Sequence, residues 1–187
     1  MVTILSLWMP ILVSGVLVFI ASSLIHMLLP YHKNDFQKLP DEDAFLNAVR
    51  DLSIPPGDYA VPHAGSTEAM KSDEYRGKVE RGPVAFMTVV EPSAVFNMGA
   101  SLTQWFGYTL LVGVFAAYLG GRMLSPGAEY IDVFRVTGTV AFSCYAVALM
   151  QRSIWYKQAW STTLKSMFDG LVYALLTAGA FGWLWPV

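Results

Sequence analysis

Residues 4–29 read ILSLWMPILVSGVLVFIASSLIHMLL, a run with no Asp, Glu, Lys or Arg. A helix needs about 20 mostly apolar residues to cross the hydrocarbon layer of a bilayer. The run is therefore expected to be a transmembrane helix. Pro10 lies near its start, where a proline is tolerated or introduces a kink. Three features set the segment apart from a cleaved signal peptide. No Lys or Arg precedes it, Pro30-Tyr31-His32 follows in place of a small-residue cleavage motif, and the run outlasts the roughly 7–15 apolar residues of a signal core.

The rest of the chain fits the same class. It has 187 residues, 55% hydrophobic and 14% charged, against about 25% charged in an average soluble domain. Three more apolar runs follow: LTQWFGYTLLVGVFAAYL (102–119), VTGTVAFSCYAVALM (136–150) and LVYALLTAGAFGWLW (171–185). Four such runs weigh against the helices of a soluble core. The expected fold is an all-α integral membrane protein with four transmembrane helices and a small α+β cytoplasmic insert between helices 1 and 2. The first span occupies residues 1–30 and the insert 31–98. The region 99–187 holds the other spans, at approximately 101–121, 133–153 and 167–185.

The insert carries seven of the twelve Lys/Arg and eleven of the fourteen Asp/Glu. LPDEDAFLNAVRDL (39–52) reads as a helix capped by Asp41, with Phe45, Leu46, Val49 and Leu52 on one face. IPPGD is a turn, DYAVP a short extended run, residues 66–81 a polar helical stretch, and PVAFMTVV a strand. A lobe of this size has a thin core and is expected to lean on the membrane helices or on a partner.

With four spans, the insert and the loop before the last span share a side. That side carries Lys33, Lys38, Arg50, Lys71, Arg76, Lys78, Arg81, Arg152, Lys157 and Lys165; the other carries Arg122 and Arg135. The positive-inside rule makes the richer side cytoplasmic, with both termini on the outer face. Trp155, Tyr156 and Trp160 fall at the inner boundary and Trp183 and Trp185 at the outer one, as expected of membrane-boundary anchors.

Several function classes drop out. A net charge of −2 argues against nucleic acid as a partner. Cys144 is the only cysteine, so no intrachain disulfide or CxxC chemistry is possible. Phosphate-loop, dinucleotide-binding, GxSxG and HExxH motifs are missing. Gly170, Ala174, Ala178 and Gly182 recur every fourth residue, with a weaker echo in Gly113, Ala117, Gly120 and Gly121. Such ridges let helices approach closely in lipid, either within one chain or between chains.

The histidines are the remaining candidates. His26 shares a helical face with Trp8, Gly15 and Ser22, a smaller and more polar stripe expected to face the bundle. His26 and His32 are six residues apart, about 240° around a helix, so no direct pair is expected on a continuous helix; Pro30 leaves convergence through a bend open. His32, Asp35 and His63 are the other candidate metal ligands, alongside Asp41, Glu42 and Asp43, which an acidic helix start already explains. Haem would need a second axial ligand such as Met150 or Met167. No cofactor is expected on spacing alone. Gln104, Asp132, Arg135 and Asp169 sit near span ends, and no ionisable group stands at mid-membrane, which weighs against a proton-coupled carrier.

The run LPYHKNDFQKLPDEDAF, with RGPVAF later, resembles a group of small bacterial four-span membrane proteins. In that group an HK-x-D run follows the first span and PDED opens the insert. The resemblance covers about a third of the chain. It implies a bacterial inner-membrane setting and brings no activity or site residues. The resulting expectation is an accessory, assembly or interaction component of a membrane complex rather than an enzyme. Its partners would be the bilayer and other membrane proteins or further copies of itself. A metal- or haem-binding membrane enzyme or redox protein, and a small-solute transporter, are the alternatives.

Overall fold

The structure is a computed structural model that describes residues 2–187. Along the chain come α1 (Trp8–Leu28), α2 (Glu42–Arg50), β1 (Gly57–Val61), α3 (Thr67–Met70), α4 (Asp73–Arg81), β2 (Ala85–Val89), α5 (Pro92–Phe96), α6 (Met98–Met123), α7 (Tyr130–Tyr145), α8 (Met150–Tyr156) and α9 (Trp160–Trp183). They divide into a helical unit, Met1–Gln37 with Gly99–Val187, and an insert unit, Lys38–Met98. Residues 31–37, assigned to the insert by their polarity, group with the helices instead.

Three stretches among the described residues are long and apolar enough to cross a membrane: Leu5–Leu28, Met98–Met123 and Tyr130–Tyr156. The last joins α7 to α8 through a 3-10 turn at Val147–Leu149. A fourth span is not established. Helix α9 has the length, at 24 residues, but its composition falls short. Part of the reason lies on its buried side, where Thr163, Asp169, Gly170 and Thr177 stand among Tyr173, Ala174, Ala178 and Phe181.

That small-residue side is the packing surface of the unit. Helix α9 lies against both α7 and α1. A Cβ on Gly170 would stand 2.9 Å from Ala146 Cβ and 3.1 Å from the Tyr145 carbonyl oxygen. One on Gly138 would meet Ala178 Cβ at 3.0 Å, and one on Gly182 would meet the Tyr130 ring at 2.6 Å. One on Gly113 of α6 would stand 3.2 Å from Ile11 Cγ2 of α1, a looser contact. The ridge from Gly170 to Gly182, together with Gly113 and the buried Ala117, is thus used within the chain. Two apolar clusters fill the core. One joins Leu7, Ala116, Val133, Phe181 and Trp185; the other joins Val18, Ile25, Val112, Ala141, Tyr145 and Tyr173.

Of the residues expected to anchor at a membrane boundary, Trp155, Tyr156, Trp160 and Trp183 are exposed. Trp185 departs from that expectation. It is 8% exposed and donates its indole N–H to the Ser125 carbonyl at 3.0 Å, which makes it part of the core.

The insert unit follows its sequence closely. Asp41 caps α2 by accepting from the Ala44 N–H at 2.9 Å. Strands β1 and β2 pair antiparallel, with Gly57 opposite Val89 and Val61 opposite Ala85. The polar stretch at 66–81 is two helices rather than one. Ser72 accepts from the Tyr75 N–H at 3.2 Å, starting α4 and interrupting what precedes it. No described residue of this unit is buried, in keeping with a lobe too small to form its own core.

Candidate metal centre

Helix α1 ends at Leu28. The next residue, Leu29, is extended (φ −89°, ψ 132°), as a residue before proline prefers. Pro30–His32 then forms one tight 3-10 turn. This bend brings His32 back beside His26. Their rings stack with centroids 4.7 Å apart and planes 7° from parallel. The two histidines that a continuous helix would hold on different faces are neighbours, because proline ends the helix between them. His26 also departs from the expected bundle-facing stripe. Gly15 and Ser22 are buried, while Trp8 and His26 are exposed.

His32 is clamped between carboxylates. Its Nδ1 lies 2.6 Å from Asp35 Oδ2 and its Nε2 lies 2.8 Å from Asp169 Oδ2. Asp169, on α9, is 3% exposed. Its other oxygen accepts from the Tyr31 hydroxyl. The second oxygen of Asp35 accepts from Lys165 Nζ at 2.8 Å. A neutral imidazole has one N–H, so two carboxylate partners require the doubly protonated ring. Burial opposes that charge, but the hydrogen bonds to Asp35 and Asp169 and their negative charges outweigh it and hold His32 above the usual imidazole range. Asp35 shifts the other way. Burial would raise it, yet the bonds and charges of Lys165 and His32 keep it below the usual carboxylate range. Burial, then the bond to Asp169 and the charges of Asp169 and Asp35, push the Tyr31 phenol up. Two cations, His32 and Lys165, thus balance two anions, Asp35 and Asp169.

His26 is held from behind. Its Nδ1 lies 3.0 Å from the Ser22 carbonyl oxygen. A carbonyl only accepts, so Nδ1 donates, and Nε2 is the nitrogen left to serve as a ligand. Ser22 is itself fixed, accepting from Trp105 Nε1 at 2.8 Å and donating to the Phe19 carbonyl at 2.9 Å. One nitrogen each of His26 and His32 and a carboxylate oxygen of Asp169 lie within 4.8 Å of one another. Tyr173, one turn beyond Asp169 on α9, is buried and its hydroxyl has no hydrogen-bond partner among the described residues.

Of the sequence candidates, the bend unites His26, His32 and Asp35. His63 lies in the insert unit, exposed at the end of β1. Asp169, Lys165 and Tyr31 escaped attention as site residues. The signal for Asp169 was present, since it is the one acidic residue in the apolar stretch of the last helix. Lys165 and Tyr31 offered none, because a loop cation and a boundary tyrosine have ordinary explanations. Comparisons with protein-family models, curated proteins and solved structures return no match.

Proposed function

We propose that this is a metal-binding membrane protein whose helical unit holds a divalent first-row transition ion through His26, His32 and Asp169. One observation carries the reading: both histidines have Nδ1 hydrogen-bonded to a fixed acceptor, Ser22 O for His26 and Asp35 for His32, so each would turn Nε2 to the ion, His32 by giving up its 2.8 Å bond to Asp169. Metal-binding histidines almost always donate their second N–H in this way, because the acceptor fixes the ring and makes the ligand nitrogen more basic. Two imidazoles and one carboxylate suit zinc or ferrous iron and leave coordination positions open. Ligand atoms around a tetrahedral ion stand about 3.3 Å apart at bond lengths near 2.05 Å. The exposed His26 closes the remaining gap. Binding replaces the proton on His32 Nε2, as is general when metal takes an imidazole site.

Elemental analysis of the full chain, purified without added chelator, tests the reading. The expected result is stoichiometric zinc or iron, with a saturable Zn²⁺ site after stripping. No stoichiometric metal and no saturable titration would overturn it. The setting belongs to the same proposal: a multi-pass protein of a bacterial inner membrane, with the insert cytoplasmic and both termini outside, as charge distribution and the resemblance suggest. An interaction role has one observation of its own. Helix α2 exposes Phe45 and Leu46, each 46% accessible. The ridge on α9 gives that role no support, because it is occupied within the chain.

A further inference from the structure

The insert unit holds a sheet of two strands, so β1 and β2 each have one edge with no described strand beside it. Among the described residues, β1 is also the one element packed extensively against β2. An isolated two-stranded ribbon is marginal in water, and further strands or an apolar partner are needed to hold it. The unit supplies neither a third strand nor a buried residue among its described residues.

The two edges differ. Strand β1 carries Asp58 at its second position and lies between Pro56 and Pro62. Charge and proline are the devices that keep an edge from pairing. Residues 84–90, VAFMTVV, are β2 with one residue on each side, and they contain neither. Val84, Phe86, Thr88 and Val90 alternate onto one face of the strand, and the three apolar ones are each at least half exposed.

The composition of β2 points to what covers its edge. A row of unpaired backbone N–H and C=O groups is matched by another strand. Two identical strands related by a two-fold axis run antiparallel, and one residue then faces its own mate. The uncharged stretch overlaps itself completely when that residue is Met87, its midpoint. In this register Val84 stands opposite Val90 of the second copy and Phe86 opposite Thr88, pairings that stabilise antiparallel strands. Charge favours the same arrangement. Arg81 precedes the stretch and Glu91 follows it, so antiparallel pairing brings each Arg81 toward Glu91 of the second copy. A parallel pair would set like charges side by side.

We infer that β2 is a dimerisation edge: it pairs antiparallel, about Met87, with β2 of a second copy of this chain, and the two ribbons form one four-stranded sheet. The edge belongs wholly to the insert unit and is independent of the metal site.

Full-length protein in mild detergent, followed by native mass spectrometry over a dilution series, tests the pairing. The parent should give a discrete dimer. Val84→Lys, at an exposed position, should weaken that dimer about tenfold, because both of the symmetry-related contacts between Val84 and Val90 are lost. Val90→Glu should weaken it similarly, and the double variant should recover most of the loss. Positions 84 and 90 lie about 20 Å apart along one strand, so the new charges can meet only across an antiparallel pair. Met87→Cys in a Cys144→Ser chain should close an intermolecular disulfide on mild oxidation, because facing residues stand about 4.5–5.5 Å apart at Cα. A protein that stays monomeric at every concentration would overturn the pairing, and so would a dimer that Val84→Lys leaves unchanged. A double variant no better than the single ones, or a Met87→Cys chain that forms no disulfide, would overturn the register. Recovery of a different protein bound to the parent, lost in Val84→Lys and with no dimer present, would overturn the second copy as the occupant.

Discussion

Replacing Asp169 by Asn removes one negative charge from a nearly closed cluster and changes little else. The amide has the carboxylate's shape and can still accept from Tyr31. What it loses is the 2.8 Å charged contact with His32 Nε2, at a side chain only 4% accessible. A hydrogen bond to a charged group is worth about 1.5–3 kcal/mol. Breaking one side of a fully buried ion pair costs about 3–5 kcal/mol. Asp35 still faces His32 in the variant, so the lower range applies, and the helical unit should lose about 2–3 kcal/mol without metal. Metal binding should suffer more. Losing a residue that merely orients a ligand costs about 10–100-fold in affinity, so losing the ligand itself should cost at least about 100-fold. Equilibrium unfolding in mixed micelles reads the first quantity, and competition with a zinc-responsive dye the second. Asp132→Asn is the control. Asp132 is 54% accessible and lies 3.7 Å from Arg135, so its loss should stay within about 0.5 kcal/mol and leave zinc binding unchanged. An Asp169→Asn protein as stable as the parent and as tight for zinc would refute both the clamp and the metal reading.

Three further perturbations separate the parts. His26→Ala should weaken zinc binding by about 100-fold, yet cost less than about 1 kcal/mol in metal-free stability, because the exposed ring contributes one stack and one hydrogen bond; the two assays above measure both. Gly170→Ala places a methyl 2.9 Å from Ala146 Cβ and 3.1 Å from the Tyr145 carbonyl oxygen, where backbone cannot yield cheaply. It should cost about 1–3 kcal/mol in the same unfolding measurement, and no change would show that α7 and α9 separate more easily than their contact implies. Asp41→Ala removes the cap of α2 and should cost about 1 kcal/mol locally, seen as faster amide exchange across Glu42–Arg50 with the helical unit unaffected.

The long apolar helices were legible because one pattern repeats along the sequence: apolar runs interrupted by few charges. The first long apolar helix, the cap at Asp41 and both strands could be read from local signals, since each depends on residues only a few positions apart. The last helix was harder to read for a physical reason. Its inner side is built for close packing, and small or hydroxyl-bearing residues lower its hydropathy even as they raise its contact with α7 and α1. The small-residue ridge fitted packing within the chain or against another one; the structure uses it within the chain, and no count of spacing distinguishes those two outcomes.

The site shows where local reading stops. A separation of six positions between His26 and His32 argues against a pair only if the helix continues, and Pro30 decides that it does not. The bend supplies two histidines, but Asp169 completes the cluster from 137 residues away in sequence. Pairing at that separation follows from packing α9 against α1, so it becomes visible only after the bundle is assembled. Once it is, an exposed boundary histidine and a buried aspartate cease to be separate curiosities. The aspartate is tolerable in the core because His32 and Tyr31 satisfy its oxygens. His32 in turn can carry charge because Asp35 and Lys165 complete the balance. A metal ion that displaces the shared proton keeps the carboxylate paired, so the network that makes the buried acid stable is also the one that prepares it as a ligand.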